Sequence, residues 1–510
     1  PSDWYQHDIT INKRRQYVVD VFGRTDDERV VCVRIVGFKP YFYSLKPITD
    51  DAMTSKQVFK HDVMAGFADL KSKRVWKVEC DTLNAFHEAI RAAKDTRGQQ
   101  LYESSLPPFM RMFHERHLSP ASPIRVSYTQ ELDIPTDKDT EEPKYHVEAY
   151  YEAEVQNVES APGDTIPQLV ASYDLEMYSA SGLFPQASKD PIIQIGISYR
   201  WTDDLLTPVA RTVYVNGTVD PSDEPETTFV SCVNESEMLL KFAKDIKTNN
   251  PDIMCGYNTF GFDDAYIEDR CKRLGILSEM ELARCPTVGK EDGRFITRFA
   301  ESKKFELASG KYDLRFLVLR GRLGLDLLLN MRREHSLDSF KLDNVASVFL
   351  RDKVVSYKDG RVYTNSTRGL RNGNYVKFDL VGHTTDPYRE GHKFVVSDVQ
   401  SKSFRIDGAP DLFYDLSDKQ LKSLEWTFTK DDVEPAELFR LHRGSSADRA
   451  RIAKYCIQDC DLVLTLMAKL DTLVNARGMA DVCKVPMEYV LRRGQGIKIF
   501  SAVVYYAAQR

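Results

Sequence analysis

Two carboxylates at the end of an apolar run are the first feature of this sequence that could do chemistry. In Leu169-Val170-Ala171-Ser172-Tyr173-Asp174-Leu175-Glu176 the residues read as a buried strand, and its period of two puts Asp174 and Glu176 on one side. Side by side they repel unless a cation lies between them. The alternative is a strand end turning to solvent, the commoner case for an isolated pair. A second acid stands on a helical pattern. In Phe262-Asp263-Asp264-Ala265-Tyr266-Ile267 the helical step sets Asp263 on the stripe of Tyr266, Ile267 and Leu274, with Asp264 and Glu268 outside it. Asp264 is therefore expected to be the more exposed of the two. Asn258 reads either as a cap at the helix entry or as a direct part of a site.

The third acid lies inside an apolar stripe. A long helix expected from Ser445 to Gly478 carries Ile452, Cys456, Val463, Leu466, Met467 and Leu470 on one face, with Asp459 among them. A buried carboxylate must be paired, protonated or bound to a metal. Tyr455, one turn earlier, can present its hydroxyl to the same spot. Asp461 lies about 200° away around the helix. It is expected to be a surface residue whose loss changes stability by only about 0.5 kcal/mol, whereas loss of Asp459 relieves like charges and leaves folding intact or improved.

The elements that must position these groups follow in order: strands 168–175, 192–199 and 212–216, a helix 235–248 whose Asn234 and Glu237 are spaced as a capping box, a short strand 252–256 and a helix 262–274. That succession is the opening order of a ribonuclease-H-like α/β layer. Residues 16–45 alternate as strands with a break at Gly37, giving a β-rich N-terminal domain. Residues 131–168, with Pro135, Pro143, Pro162 and Pro167, read as a connector.

The chain has 510 residues, 70 basic against 76 acidic, for a net charge of −6, so bulk charge does not announce a polyanion partner. Length suggests three or four folded units. No apolar run approaches a membrane span, and the charged first residues do not form a signal peptide. Nine cysteines without a CxxC argue against zinc and a disulfide framework, and imply an intracellular setting. His114-Glu115-Arg116-His117 is read as solvated helix surface.

The three acid-bearing segments resemble a known family. Asp174-Leu175-Glu176, Asn258-Thr259-Phe260-Gly261-Phe262-Asp263 and Tyr455-Cys456-Ile457-Gln458-Asp459 are similar, in order, to the three exonuclease motifs of family B DNA polymerases. Phe22-Gly23-Arg24-Thr25, Gly37-Phe38-Lys39-Pro40-Tyr41-Phe42-Tyr43, Leu101-Tyr102-Glu103-Ser104 and Gly321-Arg322-Leu323-Gly324-Leu325-Asp326-Leu327 extend the resemblance over most of the chain. It is to the delta-like polymerases of eukaryotes and of large eukaryotic DNA viruses. No DxxSLYP, KxxxNSxYG or DTDS is present, and Arg493–Lys498 resembles the segment before the palm, so the chain is expected to be the N-terminal and proofreading part of a longer enzyme.

The resemblance implies a β-rich N-terminal domain (1–165), a ribonuclease-H-like 3′→5′ exonuclease domain (166–350 and 431–490), a small β-barrel insertion (351–430) and the start of the palm region (491–510). It implies two Mg²⁺ or Mn²⁺ ions, a preference that an all-carboxylate set shares. Asp174 would bridge them, Glu176 and Asp459 would complete the first site, and Asp263 would hold the second through water. Tyr455 would orient the attacking water, with Asn258 and Phe262 contacting substrate. DNA primer–template and a single-stranded 3′ end are the implied partners, with a sliding-clamp processivity factor as a further candidate, in a host nucleus or viral replication factory. The insertion is expected to be passive surface rather than a contact for DNA or a processivity factor. Phe305–Leu307 and Tyr312–Val318, flanking a turn at Ser309-Gly310, resemble the hairpin that separates primer from template. A free-standing 3′→5′ exonuclease and a nuclease-inactive DNA-binding module are the other readings.

Overall fold

The computed structural model describes the chain outside residues 12, 62–71, 137–142, 162, 164, 225, 287, 292–293, 298, 308–309, 383, 409–411, 431–434 and 510. Pro162 of the expected connector and Ser309 of the expected turn lie outside the described residues. At the N-terminus, β1 (Asp3–Ile11), β2 (Arg14–Arg24) and β3 (Val30–Val36) form an antiparallel meander. Gly37, at φ +86°, ends it in a conformation that favours glycine. The punctuated 131–168 stretch is more than a connector, because β4 (Ala149–Glu154) pairs in parallel with β3. Its Ala149, Tyr150 and Ala153 are buried, and that apolar alternation was overshadowed in the sequence by the surrounding prolines.

The central sheet has the order β8-β7-β6-β5-β9-β12, with β5 (Leu169–Met177), β6 (Ile192–Trp201), β7 (Ala210–Asn216), β8 (Thr227–Cys232), β9 (Ile253–Gly256) and β12 (Leu323–Asp326). β8 was missed between strand and helix in the sequence reading. β5, β6 and β7 are antiparallel, and β9 and β12 add to β5 in parallel, the mixed layer expected of the ribonuclease-H-like reading. Alternation along β5 assigns its faces. Leu169, Ala171, Tyr173 and Leu175 pack with Met238, Phe242 and Ile267 of α2 (Glu235–Asn249) and α3 (Asp263–Leu274). Asn234 caps α2 by accepting from Glu237 N, while Glu237 reaches back to Val233 N, so the expected box closes one residue early. The hairpin β10 (Ala300–Leu307) and β11 (Gly310–Leu317) pairs Leu307 with Gly310, so Gly310 belongs to a strand rather than to the expected turn.

The opposite face carries α6 (Ser446–Lys469), begun by a capping box between Ser445 and Asp448. The helix stops at Lys469. Asp471, in a left-handed conformation, precedes α7 (Thr472–Cys483), so the single helix expected to run to Gly478 is two. Residues 351–429 supply β13 (Arg351–Lys358), β14 (Arg361–Thr364), β15 (Tyr375–Val381), β16 (Thr385–Pro387), β17 (Phe394–Gln400), β18 (Ser403–Ile406) and β19 (Leu424–Thr429). β19 pairs with both β13 and β15, which brings the ends of the strand series together.

Within His114–His117, Glu115 and His117 are exposed as expected, but His114 is not. His114, on α1 (Pro108–Glu115), is buried and bonded to Ser501 Oγ at 2.9 Å on α8 (Gln495–Ala507). At the joint between the N-terminal and central sheets, buried Asp252 accepts from Arg24 Nε at 2.8 Å, Arg284 Nη2 at 2.8 Å and Leu169 N at 2.9 Å.

Candidate active site

Asp174 and Glu176 stand on the α6 face of β5, both half-buried at its C-terminal end. Their oxygens and the Cys456 Sγ lie within 4.8 Å of one another. The residue paired with Asp174 across the sheet is Gly196. A Cβ there would stand 2.9 Å from Cys456 Sγ and 3.2 Å from Cys460 Sγ, so glycine allows α6 to lie close on the sheet. Cys456 Sγ points to Asp174 O at 3.6 Å.

The loop between β9 and α3 delivers the next acid. Asp326, at the end of β12, accepts from Asn258 N at 2.9 Å and Phe260 N at 3.1 Å and also caps its own helix through Leu328 N at 2.9 Å. One carboxylate thus fixes the loop that precedes Asp263. Asn258 is exposed, at φ +65°, with Gly261 so close to its side chain that a Cβ would stand 2.4 Å from Oδ1. It does not cap α3, whose first turn has no side-chain cap. Asp263 is buried and takes a hydrogen bond from the Leu175 amide, next to Asp174. Asp264 is also buried, contrary to expectation. It is bonded to the Tyr173 hydroxyl and to Leu317 N at 2.9 Å, because β11 covers the side of α3 that a lone helix would expose. Glu268 is likewise buried, paired with Arg315 at 3.3 Å and Lys272 at 2.8 Å.

From α6, Tyr455 and Asp459 come to the same place, meeting there a residue that sequence reasoning missed. Lys430, directly after β19, is buried, and its Nζ lies 2.6 Å from Asp459 Oδ1, 3.3 Å from Asp343 Oδ1 and 3.4 Å from the Tyr455 hydroxyl. Asp461 faces away from the cluster, as the helical step requires, but it is not a surface residue. It accepts from Ser198 Oγ at 2.7 Å, from Arg200, and from Arg211 Nη1 at 3.2 Å.

Burial and mutual repulsion dominate the electrostatics. Burial first, then Asp459, Asp263 and Glu176, raises Asp174 well above the usual carboxylate range. Burial and Asp459 push Glu176 up to about 8. Burial and Asp264 push Asp263 up to about 8. Burial lowers the affinity of Lys430 for its proton, yet Asp459, Tyr455 and Asp343 outweigh that and raise its pKa. One ammonium is thus set among four carboxylates that favour a further cation.

The structure therefore brings Asp174, Glu176, Asp263, Tyr455 and Asp459 together, with Asn258 exposed and Phe262 half-buried on the chain that leads into α3. Phe184, 74% exposed, puts its ring 5.2 Å from Phe262, a pairing with no sequence signal. Lys430 had none either, since it is brought in by a strand distant in sequence from every motif. Asp326 had one: an acid between a strand and Leu327-Leu328-Leu329 is an N-cap pattern.

Residues 99–345 match the family model of the exonuclease domain of DNA polymerase family B. Over that stretch and beyond it, the chain is similar to family B DNA polymerases. It is 36% identical over 324 residues to a DNA polymerase of Pyramimonas orientalis virus, covering 63% of this chain and 24% of that one. To a DNA polymerase of Acanthamoeba polyphaga mimivirus it is 25% identical over 666 residues, 98% of this chain and 37% of the relative. The DNA polymerase delta catalytic subunit of Caenorhabditis elegans is 28% identical over 338 residues, 66% and 23% respectively. The family B DNA polymerase of Pyrobaculum calidifontis shares the fold, with a TM-score of 0.59 at 16% identity over 100% of this chain and 50% of that one. The chain spans between 24% and 48% of the length of the viral relatives it matches. The family match ends at residue 345, so the fold itself carries the link from the first two acid segments to Tyr455 and Asp459.

Proposed function

We propose that this chain carries the 3′→5′ exonuclease of a DNA-directed DNA polymerase acting in replication, removing the 3′-terminal nucleotide of single-stranded or mismatched primer DNA. One observation carries the reading: carboxylates from β5, α3 and α6, far apart in sequence, converge with a tyrosine and a lysine at one open sheet end. The supporting division is an N-terminal domain to about residue 165, an exonuclease domain in two parts (166–350 and 431–490) around a β-barrel insertion (351–430), and residues 491–510 leading toward a palm. A sliding clamp fits this reading as a partner of the longer enzyme.

The donor set fits two hard divalent cations, Mg²⁺ or Mn²⁺. Its acids are oxygen donors held close together, and their raised pKa values mark unbalanced negative charge. Asp174, Glu176 and Asp459 would hold one ion, and Asp174 with Asp263 the other. When bound, such ions lower the pKa of water and stabilise a leaving oxygen. The protein's own groups do the rest. The Tyr455 hydroxyl accepts or donates to the attacking water and so aims it at the phosphorus. The Lys430 ammonium holds Asp459 and Tyr455 in place and opposes the negative charge of the scissile phosphate. Phe262 and Phe184 offer ring faces on which the terminal base stacks, and exposed Asn258 reaches the sugar-phosphate edge.

The test is to incubate the purified chain with Mg²⁺ or Mn²⁺ and an end-labelled strand, and separately with a primed template and dNTPs. Stepwise loss from the 3′ end without primer extension is expected. Primer extension, or an intact strand with both ions, would contradict the reading.

A further inference from the structure

We propose that the β-rich segment 351–430 is a positioning element for the nuclease, gripping α6 through Arg371 on Asp461 so that Asp459 is held in register with Asp174 and Glu176. This rests on the reading of the acid cluster as a divalent-cation site.

The segment does not stand apart as an appended module would. Val354, Phe378, Phe404 and Trp426 belong to one continuous core with Val463 and Leu466 of α6 and Val170 and Ile253 of the central sheet. Among the described residues, its polar contacts with α6 fall at three points. Lys430 holds Asp459. Arg368 Nη2 donates to Ala468 O at 3.0 Å. Arg371 Nη1 donates to Asp461 Oδ2 at 3.5 Å.

Asp461 is the centre of an uneven cluster. Arg200, Arg211 and Arg371 converge on this one carboxylate; Arg211 also pairs with Glu224 at 2.8 Å and Glu226 at 3.6 Å, and Asp204 lies near Arg200 and Arg371. Arg200 and Arg211 come from β6 and β7, so the helix is tied to the sheet and to the inserted segment at the same oxygen atoms. Asp459 and Asp461 are about 200° apart around α6. Grips on both sides therefore fix rotation about the helix axis, which neither grip fixes alone. A rotation of about 20° moves a group at the helix periphery by about 2 Å, enough to spoil the near-ideal geometry Mg²⁺ demands. Arg371 is itself part-exposed, and such an ion pair contributes about 0–1 kcal/mol to folding. Its removal should thus leave a folded protein in which register, rather than stability, has changed.

The experiment uses the whole chain and Mn²⁺ as the probe, with binding read by electron paramagnetic resonance and counted as the portion lost in Asp174→Asn. Backbone hydrogen exchange is measured over 455–461. Arg371→Ala should weaken Mn²⁺ binding about tenfold, the scale of a lost outer-shell partner, and speed exchange in that stretch while melting close to wild type. Arg371→Lys should recover most of both. Arg361→Ala, which breaks the Arg361–Asp398 pair within the same segment, should change neither. Wild-type affinity and exchange in Arg371→Ala would overturn the proposal. So would equal weakening in Arg361→Ala, or a wild-type chain that retains no Mn²⁺ at the acids. Tight Mn²⁺ binding sensitive to Arg371 in a chain that leaves DNA intact would overturn the nuclease reading alone.

Discussion

Asp459 and Asp461 differ by two positions and by everything they touch. Asp459 faces the acids with Lys430 at its oxygens, so Asp459→Ala should lower nuclease activity by orders of magnitude. The sequence suggested that relief of like charges would leave folding intact or better. The structure argues the reverse, because the buried Lys430 ammonium would lose its shortest ion pair and keep, among the described residues, the one to Asp343 at 3.3 Å. A loss of about 3 kcal/mol is expected, as for other broken buried pairs, and urea unfolding measures it. Asp461→Ala was expected to be a neutral surface change. It should instead cost about 3–5 kcal/mol, since it leaves Arg200, with no exposed side chain, facing Arg211 and Arg371. Wild-type unfolding in that variant would contradict the cluster described around it.

At the scale of elements, the β10–β11 hairpin has two halves with different roles. Its base is structural: Phe305 and Phe316 pack with Phe260 and Leu329, and the Leu317 amide holds Asp264. Phe316→Ala should destabilise by about 3–5 kcal/mol and lower digestion of single strands with it. Shortening the tip between 306 and 311 should leave single-strand digestion near wild type, and loss of that digestion would assign the tip a structural role. How legible each element was depended on where its partners came from. α2 and α3 could be read because their apolar periods report one buried face each, and β5 because its run is apolar up to the acids and buried on both faces. Asp264 could not, since the strand that buries it lies some 50 residues on and its covering has no trace in the helix's own pattern. The end of α6 was misplaced because the apolar stripe runs on into α7, and only the left-handed Asp471 separates the two. β4 was hidden because prolines around it signal a linker more strongly than six residues signal a strand. The acid trio was legible for the opposite reason, as motif spacing is a property of sequence alone. Lys430 and Arg371 come from a segment that reads only as inserted strands, and nothing in it indicates that it shares a core with the nuclease sheet.

For the whole molecule, the acids link stability, pH and cation binding. The pKa values of Glu176 and Asp263, both about 8, stand above the value near 4 of an unfolded carboxylate. Between those limits the folded chain binds protons the unfolded chain has released, so the two groups lower stability as pH rises from about 4 to 8. In chelator, Glu176→Gln should therefore melt above wild type at pH 8 and with it at pH 4, and saturating Mg²⁺ should abolish the difference. Equal melting at both pH values without metal would show that the cluster carries no such strain. Asp174 stands at the centre of the cluster, within reach of Glu176 on its own strand and repelled by Asp263 and Asp459 from the two helices. The most direct test of the nuclease is accordingly to compare wild type with Asp174→Asn, both shown folded by circular dichroism, for release of mononucleotides from a 3′-labelled single strand in Mg²⁺, in Mn²⁺ and in chelator. Release by wild type only with a divalent ion, and none by Asp174→Asn, is predicted; release by the variant at the wild-type rate, or by wild type in chelator, would contradict it.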